Sequence, residues 1–372
     1  MHITIPVPNL HESDDMIAIV LGTRPEIIKM SPIIRLLRDN QEDYLLIHSG
    51  QHYSYDMDKI FFEELELPVP EFYLDVGSGN HGEQTARILT GIERVLMQER
   101  PDTVLVQGDT NTVFAGALAA VKLHIDVGHV EAGLRSHDRR MPEEINRVLT
   151  DHISEYLFAP TQESRNNAVL EGIPSDKIYV TGNTIVDAVQ QNLRIAEDRR
   201  GFLDEYGLKT RGYFLVTAHR QENVDDKFRL RNLLKALEIL RDEYSMPVVF
   251  PIHPRTRRRI EEYQLNVSPD ITLIPPTGFL EFLVLEGNAR LVLTDSGGVQ
   301  EETCILRVPC VTLRENTERP ETIEVGSNIL TGITPGEIVQ AVGTMLEEET
   351  NWTNPFGDGR AAQKIVDSIH TR

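Results

Sequence analysis

The chain has 372 residues, 40% of them apolar, and a formal net charge of −21. That length exceeds one ordinary core and predicts two domains, while the longest apolar runs are strand-sized, far below the roughly 20 residues of a membrane span. No membrane partner is expected, and the acidic balance excludes a nucleic-acid scaffold, which needs a positive footprint; a small anionic substrate stays open.

In chain order, MHITIPVPNLHESDD lacks the basic and apolar segments of a secretory signal and reads as a polar lead-in. Strands are then expected at MIAIVL (16–21), YLLIHS (44–49), TVLVQG (103–108), DVGHVE (126–131), YLFAP (156–160) and IYVTG (178–182). Amphipathic stretches separate them, which is the pattern of βα units on a parallel sheet. The second half repeats the style with YFLVTA (213–218), PVVFPI (247–252), ITLIPP (271–276), RLVLTD (290–295) and CVTLRE (310–315), without a detectable sequence repeat. The fold class is therefore α/β, one domain after another. The crossing is expected near TGNTIVDAV (181–189), giving residues 1–183 plus 356–372 to the first domain and 184–355 to the second. The tail pattern Ala362, Ile365, Val366 and Ile369 predicts a helix returning to the first domain.

Two cysteines, Cys304 and Cys310 in CILRVPC, form neither a zinc spacing nor a disulfide framework, so a reducing cytoplasm is expected. Lysines are only eight of the 37 basic residues; an acidic, arginine-weighted surface suits a salt-rich cytoplasm, where charges are screened.

Almost every strand runs into a polar cluster, and ligands of open parallel sheets sit outside the carboxyl ends of strands. LGTRPEIIKMSPIIRLL (21–37) reads as strand, turn and helix, with Pro25 suited to the first helical turn. Arg24 lies in that turn, and Lys29 either reaches the ligand or pairs with Glu26 at i,i+3. VQGDTNTVFAG (106–116) ends its strand on Asp109, with capping of the next helix as the plain alternative. GHVEAGLRSHDRRMPEEINR (128–147) sets Glu131, Glu143 and Glu144 among Arg135, His137, Arg139, Arg140 and Arg147. These acids either pair with the cations or are placed to take a proton.

VTAHRQENVDD (216–226) puts His219 at a strand end, where a lone histidine is usually structural. In LVLTDSGGVQEETCIL (291–306), Ser296, Gly297 and Gly298 open a helix whose unpaired N–H groups and dipole favour a phosphate. One of Glu301 and Glu302, a turn further in, is suited to ribose hydroxyls; a plain strand-to-helix turn would look similar. No H-E-x-x-H, C-x-x-C or paired-Asp motif appears, so no metal is expected. G-x-G-x-x-G, Walker and G-x-S-x-G motifs are absent as well, and no cofactor is expected.

The set GTRPEIIKMSP, SGQH, QGDT, GHVEAGLR, MPEEINR, TGNT, TAHRQEN, DSGGVQEE, TERPE and NPFGDG, in this order over the whole length, closely resembles the non-hydrolysing UDP-N-acetylglucosamine 2-epimerases. The resemblance implies two Rossmann-like domains facing across a cleft, the GT-B architecture, and interconversion of UDP-GlcNAc and UDP-ManNAc without a cofactor. Carried over by position, it implies catalytic roles for Asp109, Glu131, Glu143 and His219. Arg24, Lys29, Ser296, Gly297 and Gly298 would balance the diphosphate, Glu302 would hold the ribose, Phe282 of GFLEF would lie near uracil, and Arg319 of TERPE would touch substrate. Gln51 and His52 match part of a second, activating UDP-GlcNAc site. GSGNHGEQ (77–84) lacks that site's G-Q-G, however, and Gln221 stands where its arginine is found. A homodimer is implied too. The alternatives are a hydrolysing epimerase releasing ManNAc and UDP, a GT-B glycosyltransferase, and a non-catalytic nucleotide-sugar sensor.

Overall fold

A computed structural model describes residues 16–51, 55–199 and 201–371; the polar lead-in and His52 lie outside the described residues. Contacts divide the chain into two compact units, one running to Thr184 and including Arg360–Arg372, the other Ile185–Gly359.

The first unit holds β1 (Ile17–Leu21), β2 (Tyr44–His48), β3 (Phe72–Tyr73), β4 (Thr103–Gln107), β5 (Asp126–Val130), β6 (Tyr156–Ala159) and β7 (Ile178–Val180). They pair in the order β3-β2-β1-β4-β5-β6-β7, parallel throughout. Ile19 of β1 sits between Leu46 of β2 and Leu105 of β4. All five residues of β1 are buried, as a parallel strand covered on both faces requires. The helix Asn111–Lys122 is dominated by alanine, valine and glycine, and those small side chains let it pack closely on the helix His81–Glu99. The C-terminal helix Ala361–His370 buries Ala362, Ile365, Val366 and Ile369, packs on the helix Arg24–Asn40 and sets His370 Nε2 3.3 Å from Glu42.

The second unit holds β8 (Phe214–Thr217), β9 (Val248–Pro251), β10 (Ile271–Ile274), β11 (Leu291–Thr294), β12 (Cys310–Thr312) and β13 (Asn328–Leu330). Their order, β10-β9-β8-β11-β12-β13, is again all parallel. Both sheets thus follow the Rossmann order, the first with one strand added. The repetition lies in topology, not in sequence. Two edge strands, β3 and β13, go beyond the expected set: two or three residues carry no readable period. Among the described residues no helix is long and apolar enough to cross a membrane.

This order places a switch point between β1 and β4 in one unit and between β8 and β11 in the other, where connections leave in opposite directions and open a crevice. The clusters GTRPE and QGDT stand at the first, TAHR and TDSGG at the second.

Candidate active site

At the first switch point the strand ends crowd together. A Cβ on Gly22 would lie 2.2 Å from Thr112 Oγ1 and 2.7 Å from Ser49 Oγ, so only glycine fits. The Gly22 N–H donates to Glu26 Oε2 (2.6 Å) and the Thr110 hydroxyl to Glu26 Oε1 (2.8 Å), which ties the ends of β1 and β4 through one buried carboxyl. Burial pushes that carboxyl up to about 7, against the pull of both donors. The folded protein therefore keeps a proton that the unfolded chain, at about 4.5, releases. Stability from this site is full below pH 4.5 and is lost as pH rises to about 7. Urea unfolding of the wild type is expected to lose on the order of 3 kcal/mol across that window relative to Glu26→Gln. Parallel pH profiles of the two proteins would refute it.

Lys29 does not pair with Glu26. Its ammonium lies 2.5 Å from Glu131 Oε1, which also accepts from Asn183 Nδ2 at 2.8 Å, while Gln107 Nε2 donates to Glu131 Oε2. Glu131 is buried and has φ +67°, a left-handed backbone rarely adopted by a residue with a Cβ. Such strain persists only where the surroundings enforce it, and it gathers at functional sites. Two residues on, Gly133 has φ +80°, and a Cβ there would strike the Ser164 carbonyl oxygen at 2.0 Å.

The other acids of this stretch part company. Thr110, not Asp109, caps the helix Asn111–Lys122. Asp109 pairs instead with Arg147 Nη2, whose Nη1 reaches Glu144 Oε2 at 3.1 Å. Glu144 also accepts the N–H groups of Ser136 and His137, each at 2.9 Å, so it is a structural acid paired one turn along its helix. Burial alone would raise its carboxyl, but Ser136 and Arg147 outweigh this and hold it below the usual range. Glu143 is exposed and, with Asp109 and Gln51, lines a hollow of about 220 Å³. Gln51 Oε1 accepts from the Thr112 hydroxyl at 2.6 Å. Arg24 holds its guanidinium 5.5 Å from the Phe61 ring centre.

In the second unit Asp295, fully buried, bridges the ends of β8 and β11. It accepts the N–H groups of His219 and Arg220 at 3.0 Å and Asn223 Nδ2 at 3.1 Å. The His219 ring is left 45% exposed, with Nδ1 3.5 Å from Asp295 and its centre 5.6 Å from the ring of His253. Burial, then the neighbouring His219 and Arg255, lowers the pKa of His253. The helix Gly297–Ile305 begins after Ser296, which makes no side-chain capping bond, so the helix start carries Gly297 and Gly298 as a backbone N–H cradle suited to an anion. Glu302 lies a turn and a half along this helix, and Arg319 Nε donates to the adjacent Glu301 at 2.5 Å. Phe282 is half-buried on the helix Phe279–Asn288.

Sequence reasoning missed Gln107, Asn183 and Asp295 as the residues that hold Glu131 and His219. Each stands inside a quoted motif, yet its partner is distant in the chain, 24, 52 and 76 residues away; Lys29 and Glu131 are 102 residues apart.

Two Rossmann-ordered units, one with acids at its switch point and the other with an uncapped Gly-Gly helix start, define an α/β protein of the GT-B class. A family model described as UDP-N-acetylglucosamine 2-epimerase matches residues 35–370. The UDP-N-acetylglucosamine 2-epimerase of Methanocaldococcus jannaschii is 58% identical over 357 residues, 94% of this chain and 97% of that one. A crystal structure from the same organism, in complex with UDP-GlcNAc and UDP, matches with TM-score 0.87 at 57% identity, covering 96% of this chain and 100% of that one. The Neisseria meningitidis enzyme bound to UDP-GlcNAc matches with TM-score 0.87 at 34% identity, again covering 96% and 100%. The chain belongs to the UDP-N-acetylglucosamine 2-epimerase family.

Proposed function

We propose that this protein interconverts UDP-N-acetylglucosamine and UDP-N-acetylmannosamine by eliminating UDP and adding it back. The C2 proton is not next to a carbonyl and is barely acidic, so direct abstraction has no driving force. Loss of UDP changes this: the C1–O electron pair leaves with the diphosphate, the C2 proton passes to a carboxylate, and the C1–C2 double bond of 2-acetamidoglucal forms. A proton returned to the opposite face of C2, with UDP re-adding at C1, completes the inversion. The observation that carries this reading is the division of chemistry between the switch points. Asp109, Glu131 and Glu143 supply proton-exchanging and charge-stabilising groups in one unit. His219, Ser296, Gly297 and Gly298 in the other suit a departing diphosphate, with Arg24 and Lys29 adding positive charge. Glu302 serves the ribose, Phe282 the uracil and Arg319 the bound nucleotide sugar. Gln51, lining the hollow with Asp109 and Glu143, is consistent with a second nucleotide-sugar contact.

Incubation with UDP-GlcNAc in D₂O is expected to yield both UDP-sugars carrying deuterium at C2, read by NMR. Free ManNAc with UDP and no UDP-ManNAc would instead identify a hydrolysing enzyme; transfer of an uninverted sugar would identify a glycosyltransferase.

The enzyme acts in the cytoplasm as a homodimer. Supporting the dimer, Ile145 and Leu149 are 45% and 43% exposed on the helix Pro142–Ile153. Ile145 joins Leu89, Phe114 and Leu118 around an apolar hollow of about 400 Å³. Sedimentation as a 42.1 kDa species would exclude it.

A further inference from the structure

The helix Phe279–Asn288 buries Leu280, Leu283, Val284 and Leu285 and, with them, Glu286, which is 0% exposed. Neither carboxyl oxygen of Glu286 meets a conventional donor. Its polar neighbour is the Glu302 carboxyl, within hydrogen-bond reach on the adjoining helix Gly297–Ile305. The other titratable groups facing it are Tyr213, whose hydroxyl donates to the Leu285 carbonyl at 2.5 Å, and the buried thiol of Cys310. No cation is among them. Two carboxyls in contact inside a protein are not both ionised, because each charge disfavours the other, and Glu286, fully buried, has no donor at either oxygen to hold its charge. Burial, then Glu302, pushes Glu286 well above the ordinary carboxyl range. The shared proton therefore resides on the deeper acid, and the charge on the one nearer the surface. An apolar residue would fill this place at less cost, since a buried acid with a single polar contact destabilises a core.

We propose that Glu286 is a positioning residue: as a neutral acid it donates a hydrogen bond to Glu302 and fixes that carboxylate for the ribose hydroxyls of the nucleotide. The inference rests on the ribose reading of Glu302 given above. It makes ribose recognition depend on a residue that touches no substrate.

Calorimetric titration with UDP and 2′-deoxy-UDP tests it. The wild type is expected to prefer UDP by about tenfold or more, the scale of a hydrogen bond to a charged group. Glu286→Gln, whose amide still donates, should keep that preference. Glu286→Leu should compress it to about twofold, with UDP losing more affinity than 2′-deoxy-UDP, since the contact to the 2′-hydroxyl is loosened. A full preference in Glu286→Leu, or an equal loss for both nucleotides, overturns the inference. Should the leucine variant fail to fold, infrared difference spectra of wild type and Glu286→Gln at neutral pH decide: a carboxylic-acid carbonyl band in the wild type alone is expected, and its absence refutes the neutral acid. Glu302→Ala separates the two levels. A preference kept in Glu302→Ala overturns the ribose reading itself; one lost there but kept in Glu286→Leu overturns only the role of Glu286.

Discussion

Glu131→Gln is expected to lower kcat by roughly 10²-fold or more while leaving the Kd for UDP within a few-fold, the scale of lost acid/base help. The substitution keeps the side chain's volume and one acceptor oxygen, which can still take the Lys29 ammonium and the Asn183 amide. The new amide nitrogen would face Gln107 Nε2, but Gln107 can turn its own amide and present its oxygen. The left-handed backbone at residue 131 is common to both side chains. What disappears is the negative charge and the ability to take a proton. Steady-state turnover with UDP-GlcNAc, calorimetry with UDP and a melting curve separate chemistry from binding and folding. Glu143→Gln makes the comparison informative, because Glu143 lies in an open hollow and Glu131 is buried against three donors. Unchanged turnover in both variants would remove carboxylate proton transfer from this stretch.

The contrast between these two glutamates shows where sequence stops being legible. Nearly all strands are readable because parallel strands covered on both faces are short, continuous apolar runs, as IAIVL and FLVT are. The edge strands Phe72–Tyr73 and Asn328–Leu330 are not, being too short for any period and, at Asn328, polar. Motif positions at strand ends are readable as a candidate site because sheet geometry gathers them at the switch points. Their partners are not, since nothing local relates Asn183 to Glu131 or Asp295 to His219. Glu286 is the hardest case: in FLEFLVLEGN a glutamate reads as a solvated residue, whereas packing buries it completely. Periodicity assigns faces, and only the neighbouring helix shows that this face has no water beyond it.

Asp151→Ala is expected to destabilise the protein by roughly 3 kcal/mol, the lower end of the range for breaking a buried charged network, and to reduce activity in parallel. Asp151 lies under the chain that carries Glu131. Its Oδ1 accepts from His129 Nδ1 at 2.6 Å, and its Oδ2 takes Arg135 Nη2 at 2.7 Å and the Gly133 N–H at 3.0 Å. His129 in turn reaches the Gly108 carbonyl at 2.8 Å, at the end of β4. One carboxylate thus braces both strand ends that present Asp109 and Glu131. Removing it leaves the Gly133 N–H and the His129 ring without their buried acceptor. Arg135 keeps Glu171, at 2.8 and 2.7 Å, which is why the lower end of the range applies. Burial would raise the Asp151 carboxyl, but His129 and Arg135 outweigh it and hold it below its ordinary value of 3.8. A depressed acid stabilises the fold above the unfolded pKa and loses that contribution as pH falls. The gap between wild type and variant in urea unfolding should therefore be full at neutral pH and narrow on acidification below about 4. Asp151→Asn, which keeps one acceptor for the Gly133 N–H, should fall between them. A variant within 1 kcal/mol of wild type at neutral pH would show that β5 and its glutamate are held without this network, and the account of how residue 131 keeps its left-handed conformation would fail with it.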